Sequence, residues 1–211
     1  MIKSFLKEVG EYCLLMRKTF SRPDNWRMVL KQVPTEMVKL GVDSVGIILI
    51  ISVFMGVIMT MQVVLNTENP LLPRYTTGLM LRDTYLLEFS STIMCLILAG
   101  KVGSNITSEI GAMRVTQQID ALDMMGVNSA NFLILPKVTG LVFTIPILVI
   151  FSIASGIGGA FLIGKLTGIM TTEELTVGLQ HEFTVWFIWY SIIKSFFFAF
   201  IITSVASFYG Y

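Results

Sequence analysis

The hydrophobic residues of this chain are gathered into four long apolar segments separated by short polar ones. A helix that crosses a membrane needs about 20 mostly apolar residues. By that measure, the predicted membrane segments are 44–65, 84–105, 131–164 and 183–208. The second segment carries Glu88 and the fourth carries Lys194, while the third is longer than one upright span requires. The pattern therefore predicts an all-α membrane protein with four membrane helices in this chain.

The first 38 residues form a separate, amphipathic region. Apolar residues recur at helical spacing between charged ones, at Phe5, Leu6, Val9, Tyr12, Cys13 and Met16. This pattern is typical of a helix that lies in the membrane interface. The alternative is a helix packed on another subunit or on the membrane helices. The sequence Arg22-Pro23-Asp24-Asn25 predicts a turn that ends this helix.

A polar connection at 106–128 separates the second and third membrane segments. Its apolar side is made by Ile106, Ile110, Met113, Ile119, Leu122 and Met125. Gly126 is placed to end a helix. We therefore predict an amphipathic helix that docks a partner protein. The alternative is a helix that rests on lipid headgroups, but such helices usually carry a basic polar face, and this one is poor in Lys and Arg.

The distribution of basic residues predicts the orientation in the membrane. They are concentrated before the first membrane segment, at Lys3, Lys7, Arg17, Lys18, Arg22, Arg27, Lys31 and Lys39. The loop at 66–83 holds only Arg74 and Arg82, and the loop at 165–182 holds only Lys165. The N-terminus, the 106–128 connection and the last residue of this chain should therefore face the cytoplasm.

Composition and isolated reactive residues argue against several function classes. Of the 211 residues, 54% are hydrophobic and 14% are charged, against about 25% charged in soluble domains. The net charge of +1 gives no basis for nucleic-acid binding. His181 is the single histidine, and we assign neither a catalytic residue nor a metal site. The run Gly159–Lys165 begins like a phosphate-binding loop, but Leu166 stands where a hydroxyl must follow. No cofactor is therefore expected on this chain, which we treat as one domain, 1–211.

Charges and small residues inside the membrane segments are the remaining candidate sites. Glu88 and Lys194 should face protein or a water-filled cavity, because charge is costly in hydrocarbon. Glu88 is either part of a cavity for a lipid headgroup or a structural hydrogen-bonding group, and Lys101 lies near the end of its segment. Small residues predict close helix packing at Gly100, Gly103, Gly156, Ala160 and Gly164.

The stretch that begins at Leu98, LAGKVGSNITSEIGAMRVTQQIDALDMMGVN, closely resembles the signature of the MlaE/YrbE permeases. The matching residues are Ala99, Gly100, Gly103, Ser104, Glu109, Gly111, Met113, Arg114, Val115, Thr116, Gln118, Asp120, Ala121, Leu122, Met125 and Gly126. Lys101 replaces the usual Arg, and Gln117 replaces the usual Glu. Family members continue past the Gly210-Tyr211 position with a fifth span, which we expect beyond this sequence.

The resemblance implies a permease subunit of an ABC transporter that works with MCE-domain proteins. It implies a homodimer in the bacterial inner membrane, two partner ATPases that hold ATP and Mg²⁺, an outer MCE ring and a lipid cavity at the dimer axis. Phospholipids or related lipids would move between the inner membrane and the MCE protein, for outer-membrane lipid homeostasis. The resemblance assigns ATPase coupling to Glu109, Met113, Arg114, Gln117, Gln118, Asp120 and Asp123. Its cavity or gating residues would be Glu88, Lys101 and Lys194.

Two other functions fit parts of the sequence. An intramembrane enzyme acting on lipids would need a paired acid and base at one depth, and Glu88 with Lys194 is the candidate pair. A passive membrane adaptor would need the cytoplasmic helix but neither Glu88 nor the small-residue faces. A non-catalytic permease accounts for all of these features together.

Overall fold

A computed structural model describes residues 2–21, 26–67, 73 and 75–211. Every regular element in these residues is helical. Four helices are long and apolar enough to cross a membrane, and they span Trp26–Thr67, Tyr75–Val115, Ser129–Thr167 and Trp186–Gly210. The first three contain the predicted segments 44–65, 84–105 and 131–164, and the fourth covers the predicted segment 183–208 except for its first three residues. The all-α membrane class is therefore confirmed. The turn predicted at 22–25 lies outside the described residues.

Nine α-helices and short stretches of π- and 3₁₀-helix make up the described part of the chain. The α-helices are α1 Ile2–Thr19, α2 Trp26–Glu36, α3 Val45–Thr67, α4 Tyr75–Thr84, α5 Met94–Val115, α6 Gln118–Met124, α7 Ser129–Thr167, α8 Thr172–Gln180 and α9 Trp186–Gly210. A π-helical turn, Met37–Gly41, and a 3₁₀ turn, Val42–Ser44, connect α2 to α3. A second π-helical stretch, Tyr85–Ile93, connects α4 to α5 and carries Glu88.

The described chain divides into two compact units. The first unit comprises Met1–Asp43, Leu98–Thr144 and Phe197–Tyr211. The second comprises Ser44–Ile97 and Ile145–Phe196. Helices α5, α7 and α9 each contribute residues to both units.

In the first unit, α1 packs against the C-terminal part of α9. The Tyr12 hydroxyl donates to Ser204 Oγ at 2.9 Å, and the Tyr12 ring meets Phe208 edge-on at 5.6 Å. The apolar side chains of Phe5 and Leu6 remain exposed. One face of α1 therefore packs on a membrane helix, as the alternative interpretation expected, and the interfacial position of the helix stays a prediction.

In the second unit, small residues allow α3 and α7 to approach closely. Ser52 Oγ lies 2.7 Å from Ser152 Oγ, and a Cβ added to Gly56 would overlap the carbonyl group of Gly156. Ala160 is buried on the same side of α7 and belongs to the apolar core of this unit. The predicted small-residue face of α7 therefore lies at a helix contact.

The other predicted packing glycines occupy different surroundings. Gly164 is buried, and a Cβ there would lie 3.2 Å from the Met170 carbonyl oxygen. Gly103 on α5 is buried in the first unit near Ala206 of α9. Gly100, three residues earlier, is exposed and has no described atom within 4 Å of an added Cβ. Residues three apart lie on neighbouring parts of one helix face, but among the described atoms the structure shows a contact within 4 Å for Gly103 alone of these two glycines.

Candidate docking site

The predicted 106–128 helix is divided by a sharp turn rather than continuous. Helix α5 ends at Val115, and α6 begins at Gln118. Between them, Gln117 adopts a left-handed conformation with φ 59°. A side chain in this region is uncommon and strained. Sequence periodicity did not reveal the break, because both short helices keep their apolar residues on one side.

Helix α6 ends in a Schellman motif at the glycine that the sequence predicted as its end. Gly126 has φ 78°, which glycine adopts without steric cost. Its N–H donates to the Asp123 carbonyl oxygen at 3.0 Å, and the N–H of Val127 donates to the Leu122 carbonyl oxygen at 3.1 Å. These two bonds satisfy carbonyl groups at the end of α6 and fix the direction in which the chain leaves it.

Two side-chain contacts hold α6 to its neighbouring helices. Arg114 Nη1 donates to Asp120 Oδ1 at 3.1 Å and bridges the break at Gln117. Ser129 Oγ donates to Asp123 Oδ1 at 2.6 Å and connects α6 to the first turn of α7. The hydrogen bond from Ser129 lowers the pKa of the Asp123 carboxyl below its usual value, and the nearby Lys18 ammonium adds to this effect. Asp123 therefore serves as an anchor within the chain.

The end of α9 and the end of α1 meet at the same place. The Tyr211 phenol oxygen lies 2.6 Å from Ser129 Oγ. Because the single hydroxyl proton of Ser129 is directed at Asp123, Tyr211 is the donor to Ser129. Lys18 Nζ lies 3.5 Å from the Tyr211 hydroxyl oxygen, to which it donates, and Arg114 lies 6.0 Å from the centre of the Tyr211 ring. Four helices of the first unit thus hold α6 in position.

The outer surface of this segment is strongly apolar. Met124 is 90% exposed and Val115 is 84% exposed. An adjoining groove is lined by Met113, Gln118, Ile119, Ala121, Leu122, Met125, Phe132 and Leu133. Ile119 is fully buried and fixes α6 to the unit, whereas Gln117 and Gln118 are exposed at its edge. The arrangement presents a rigid apolar surface with a polar rim.

Glu109 differs from the other residues that the resemblance assigns to the partner. Its Oε1 lies 2.9 Å from Lys39 Nζ, and its Oε2 lies 2.9 Å from Lys137 Nζ. Lys137 also binds Glu36. The Glu109 carboxylate is therefore occupied inside the first unit instead of facing outward. Sequence reasoning missed this cluster, and the one signal for it was a charged residue in the apolar 131–164 segment.

The three candidate cavity residues are divided between the two units. Glu88 is exposed in the second unit, and none of the ion pairs among the described residues includes it. Lys194, in the same unit, donates to the Leu87 carbonyl oxygen at 3.3 Å. Lys101 belongs to the first unit, where its ammonium donates to the Asp43 carbonyl oxygen at 2.6 Å. Lys194 therefore binds the backbone of the residue that precedes Glu88.

The remaining reactive side chain, His181, stacks on Tyr75 with ring centroids 5.0 Å apart. Within the described residues, no three His, Cys, Asp or Glu side chains are grouped so as to hold a metal ion. The run Gly159–Lys165 lies inside α7, so it does not form the loop that a phosphate-binding motif requires.

The amino-acid sequence of this chain is similar to those of known membrane permeases. A family model described as Permease MlaE matches residues 33–211. The intermembrane phospholipid transport system permease protein MlaE of Haemophilus influenzae is 34% identical over 182 residues, which cover 83% of this chain and 67% of that protein. A probable ABC transporter permease protein of Synechocystis is 30% identical over 83% of this chain and 66% of its own length. The chloroplastic protein TRIGALACTOSYLDIACYLGLYCEROL 1 of Arabidopsis thaliana is 27% identical over 88% of this chain and 52% of its own length. The chain thus spans about two thirds of the length of the first two relatives.

Proposed function

Because this chain belongs to the MlaE permease family, we propose that it is the membrane-spanning subunit of an ABC transporter that moves phospholipids or related lipids. The names of the Haemophilus and Synechocystis relatives support the transporter class, and the first also supports a phospholipid substrate. In this proposal the chain itself hydrolyses nothing. A partner ATPase binds ATP and Mg²⁺, and an MCE-domain protein exchanges lipid on the outer side of the bacterial inner membrane.

The exposed apolar surface of α6 is the observation that carries this proposal. Met124 is almost fully exposed, although α6 begins beyond the end of the Tyr75–Val115 membrane helix. No Lys or Arg occurs between residues 115 and 128, so the segment lacks the basic face of a lipid-surface helix. An exposed apolar surface rimmed by polar groups is typical of a protein–protein contact.

The way α6 is held suits a helix that transmits force. The break at Gln117, the Schellman motif at Gly126 and the Asp123–Ser129 bond fix both of its ends. A partner that moves α6 would therefore move the surrounding helices as well. We propose that Arg114, Gln118 and Asp120 supply the polar rim of this contact with the ATPase.

The orientation of the chain and its remaining partners complete the proposal. The basic residues before α3 favour a cytoplasmic N-terminus, and α6 then lies on the side where ATP is available. Glu88 and Lys194 lie on membrane helices, and we propose that they line a lipid cavity completed by a second copy of the chain. Exposed Glu88 is compatible with this role, since a water-filled or headgroup-lined cavity accommodates a charge.

The test is co-purification from native membranes with two matched variants. We expect the tagged full-length protein to bring down an ABC ATPase in stoichiometric amount. Met124→Glu should lose the ATPase, because it places a charge in the centre of the apolar contact, yet it should fold normally because the side chain is exposed. The control is Leu166→Glu, which changes a 75% exposed apolar residue away from α6 and should retain the ATPase.

Three outcomes would contradict the proposal. Recovery of the chain without any ATPase would favour the enzyme or the adaptor. Equal retention of the ATPase by both variants would remove α6 from the contact. Recovery of the ATPase from a complex that moves no fluorescent phospholipid between vesicles and an added MCE protein would favour a passive adaptor.

A further inference from the structure

Lys137 is a buried cation whose contacts join three helical segments of the first unit. Its side chain is 2% exposed, although it lies in an otherwise apolar part of α7. Its ammonium nitrogen lies 3.0 Å and 2.9 Å from the two carboxylate oxygens of Glu36, and 2.9 Å from Glu109 Oε2. A lysine ammonium has three N–H donors. All three are therefore used, on acceptors from α2 and α5.

The charges around Lys137 form a closed and neutral set. Glu109 directs one carboxylate oxygen to Lys137 and the other to Lys39. Two carboxylates and two ammonium groups cancel in net charge. The four side chains therefore need no added ion to balance their charge. Their effect on the structure is to connect the helices that carry them.

The backbones near Lys137 are packed closely enough to make these contacts short. A Cβ added to Gly140, which lies one turn further along α7, would be 3.4 Å from the Val33 carbonyl oxygen and 3.5 Å from Glu36 Cβ. Gly41, in the turn after α2, packs directly against Thr144. The α7 backbone thus lies against α2, and the lysine side chain extends from this contact to α5.

A buried ion pair is a weak source of stability, because removing two charges from water offsets most of their attraction. Apolar side chains of similar volume in place of the whole buried pair would avoid that cost. The hydrogen bonds of the lysine are directional, whereas apolar contacts are not. These three bonds therefore fix the separation of α2 and α5.

We propose that Lys137 is a positioning residue that makes α2, the C-terminal half of α5 and the start of α7 move as one body. The inference deepens the proposed function and rests on it. If an ATPase moved α6, α2 would then move with it, and α2 begins the continuous Trp26–Thr67 helix. Without Lys137, α5 and α7 could shift against α2 and leave it in place.

The test is a distance measurement between spin labels at Leu30 on α2 and Ala112 on α5. Both positions are exposed, and the native Cys13 and Cys95 are replaced by alanine in the full transporter. In the otherwise unchanged protein, we expect one narrow distance. It should differ by no more than about 2 Å between the nucleotide-free and vanadate-trapped states, because packed helices shift against each other by no more than this without separating. Lys137→Met should broaden the distribution in both states.

Two further variants separate positioning from simple stability. Lys39→Met removes the other cation that binds Glu109, but that lysine is 45% exposed, so its loss should leave the distance narrow. Lys137→Met with Glu36→Gln removes charge from both partners of the buried pair. This variant should fold even if the single variant does not, and it should also broaden the distance.

A narrow, unchanged distance in the folded Lys137 variants would overturn the inference and leave Lys137 a structural residue. A change well beyond 2 Å between nucleotide states in the unsubstituted protein would also overturn it. The nucleotide-free comparison does not require the ATPase, so the failure of the proposed function would be seen separately, as the absence of an ATPase and of ATP hydrolysis from the purified complex.

Discussion

Gly159 on α7 faces the backbone of α3 so closely that an added methyl group has no room. A Cβ at this position would overlap the Val53 carbonyl group, and the backbone of a packed helix cannot rotate aside as a flexible side chain can. Gly158, its neighbour on the same helix, has no described atom within 4 Å of an added Cβ. Gly159→Ala and Gly158→Ala therefore make the same chemical change in the same helix, and only one of them meets an obstacle.

The difference in unfolding free energy between the two variants can be worked out from these contacts. Replacing Gly by Ala favours a helix by about 1 kcal/mol, and this gain cancels between the variants. Overpacking at Gly159 costs about 1 to 3 kcal/mol. Separation of the helices also weakens the bond between Ser52 Oγ and Ser152 Oγ, now 2.7 Å long, and such bonds in membranes are worth about 0.6 kcal/mol. Gly159→Ala should thus be less stable than Gly158→Ala by about 2 to 4 kcal/mol.

The assay is unfolding of the purified protein by a denaturing detergent in mixed micelles, followed by the fluorescence of the three tryptophans. We expect the Gly159→Ala midpoint to fall clearly below that of the unsubstituted protein, and the Gly158→Ala midpoint to equal or exceed it. Equal midpoints for the two variants would refute the reasoning, because they would show that α3 and α7 do not depend on this close approach.

Two further predictions concern the ends of α6. Gln117→Gly should raise the free energy of unfolding of the purified protein by up to about 1 kcal/mol, because glycine adopts the left-handed backbone conformation without strain. Gln117→Val should lower it, and equal stabilities of the two variants in thermal unfolding would show that the backbone at this position is not strained. The pKa of Asp123 is lowered from its usual 3.8, so its contribution is present above that value and is lost as pH falls below it. Ser129→Ala should therefore make stability less sensitive to acid as pH falls below 3.8. Thermal unfolding measures this, and an unchanged pH dependence would contradict this role.

The membrane helices could be predicted from sequence because their signal is simple. Long apolar runs predict four membrane segments, three of which lie inside an observed membrane-length helix, while the fourth begins three residues before its helix. Their ends were less predictable, since polar residues extend the helices without interruption. The segment predicted at 84–105, for example, belongs to a helix that runs from Tyr75 to Val115.

Contacts between distant residues could not be predicted, because hydrophobic periodicity records only which side of a helix is apolar. Lys137, Glu36 and Glu109 are far apart in sequence, and no spacing rule connects them. The αL turn at Gln117 was also missed. Glutamine is an ordinary helix former, and the left-handed conformation there follows from the contacts that hold α6 on either side.

Several charged side chains of the signature stretch that begins at Leu98 bind other residues of the same chain. They are therefore less available to bind a partner directly. Glu109 is held by two lysines, Asp123 by Ser129, and Arg114 by Asp120. These contacts fix the angle at which α6 is presented, while Met124 is the most exposed large apolar side chain of the segment. We therefore expect shape and apolar burial to supply most of the affinity for the ATPase, while the charged residues at the rim of the contact act mainly through the position of α6. Substitutions of these charges should then alter the transmission of movement more than the retention of the partner.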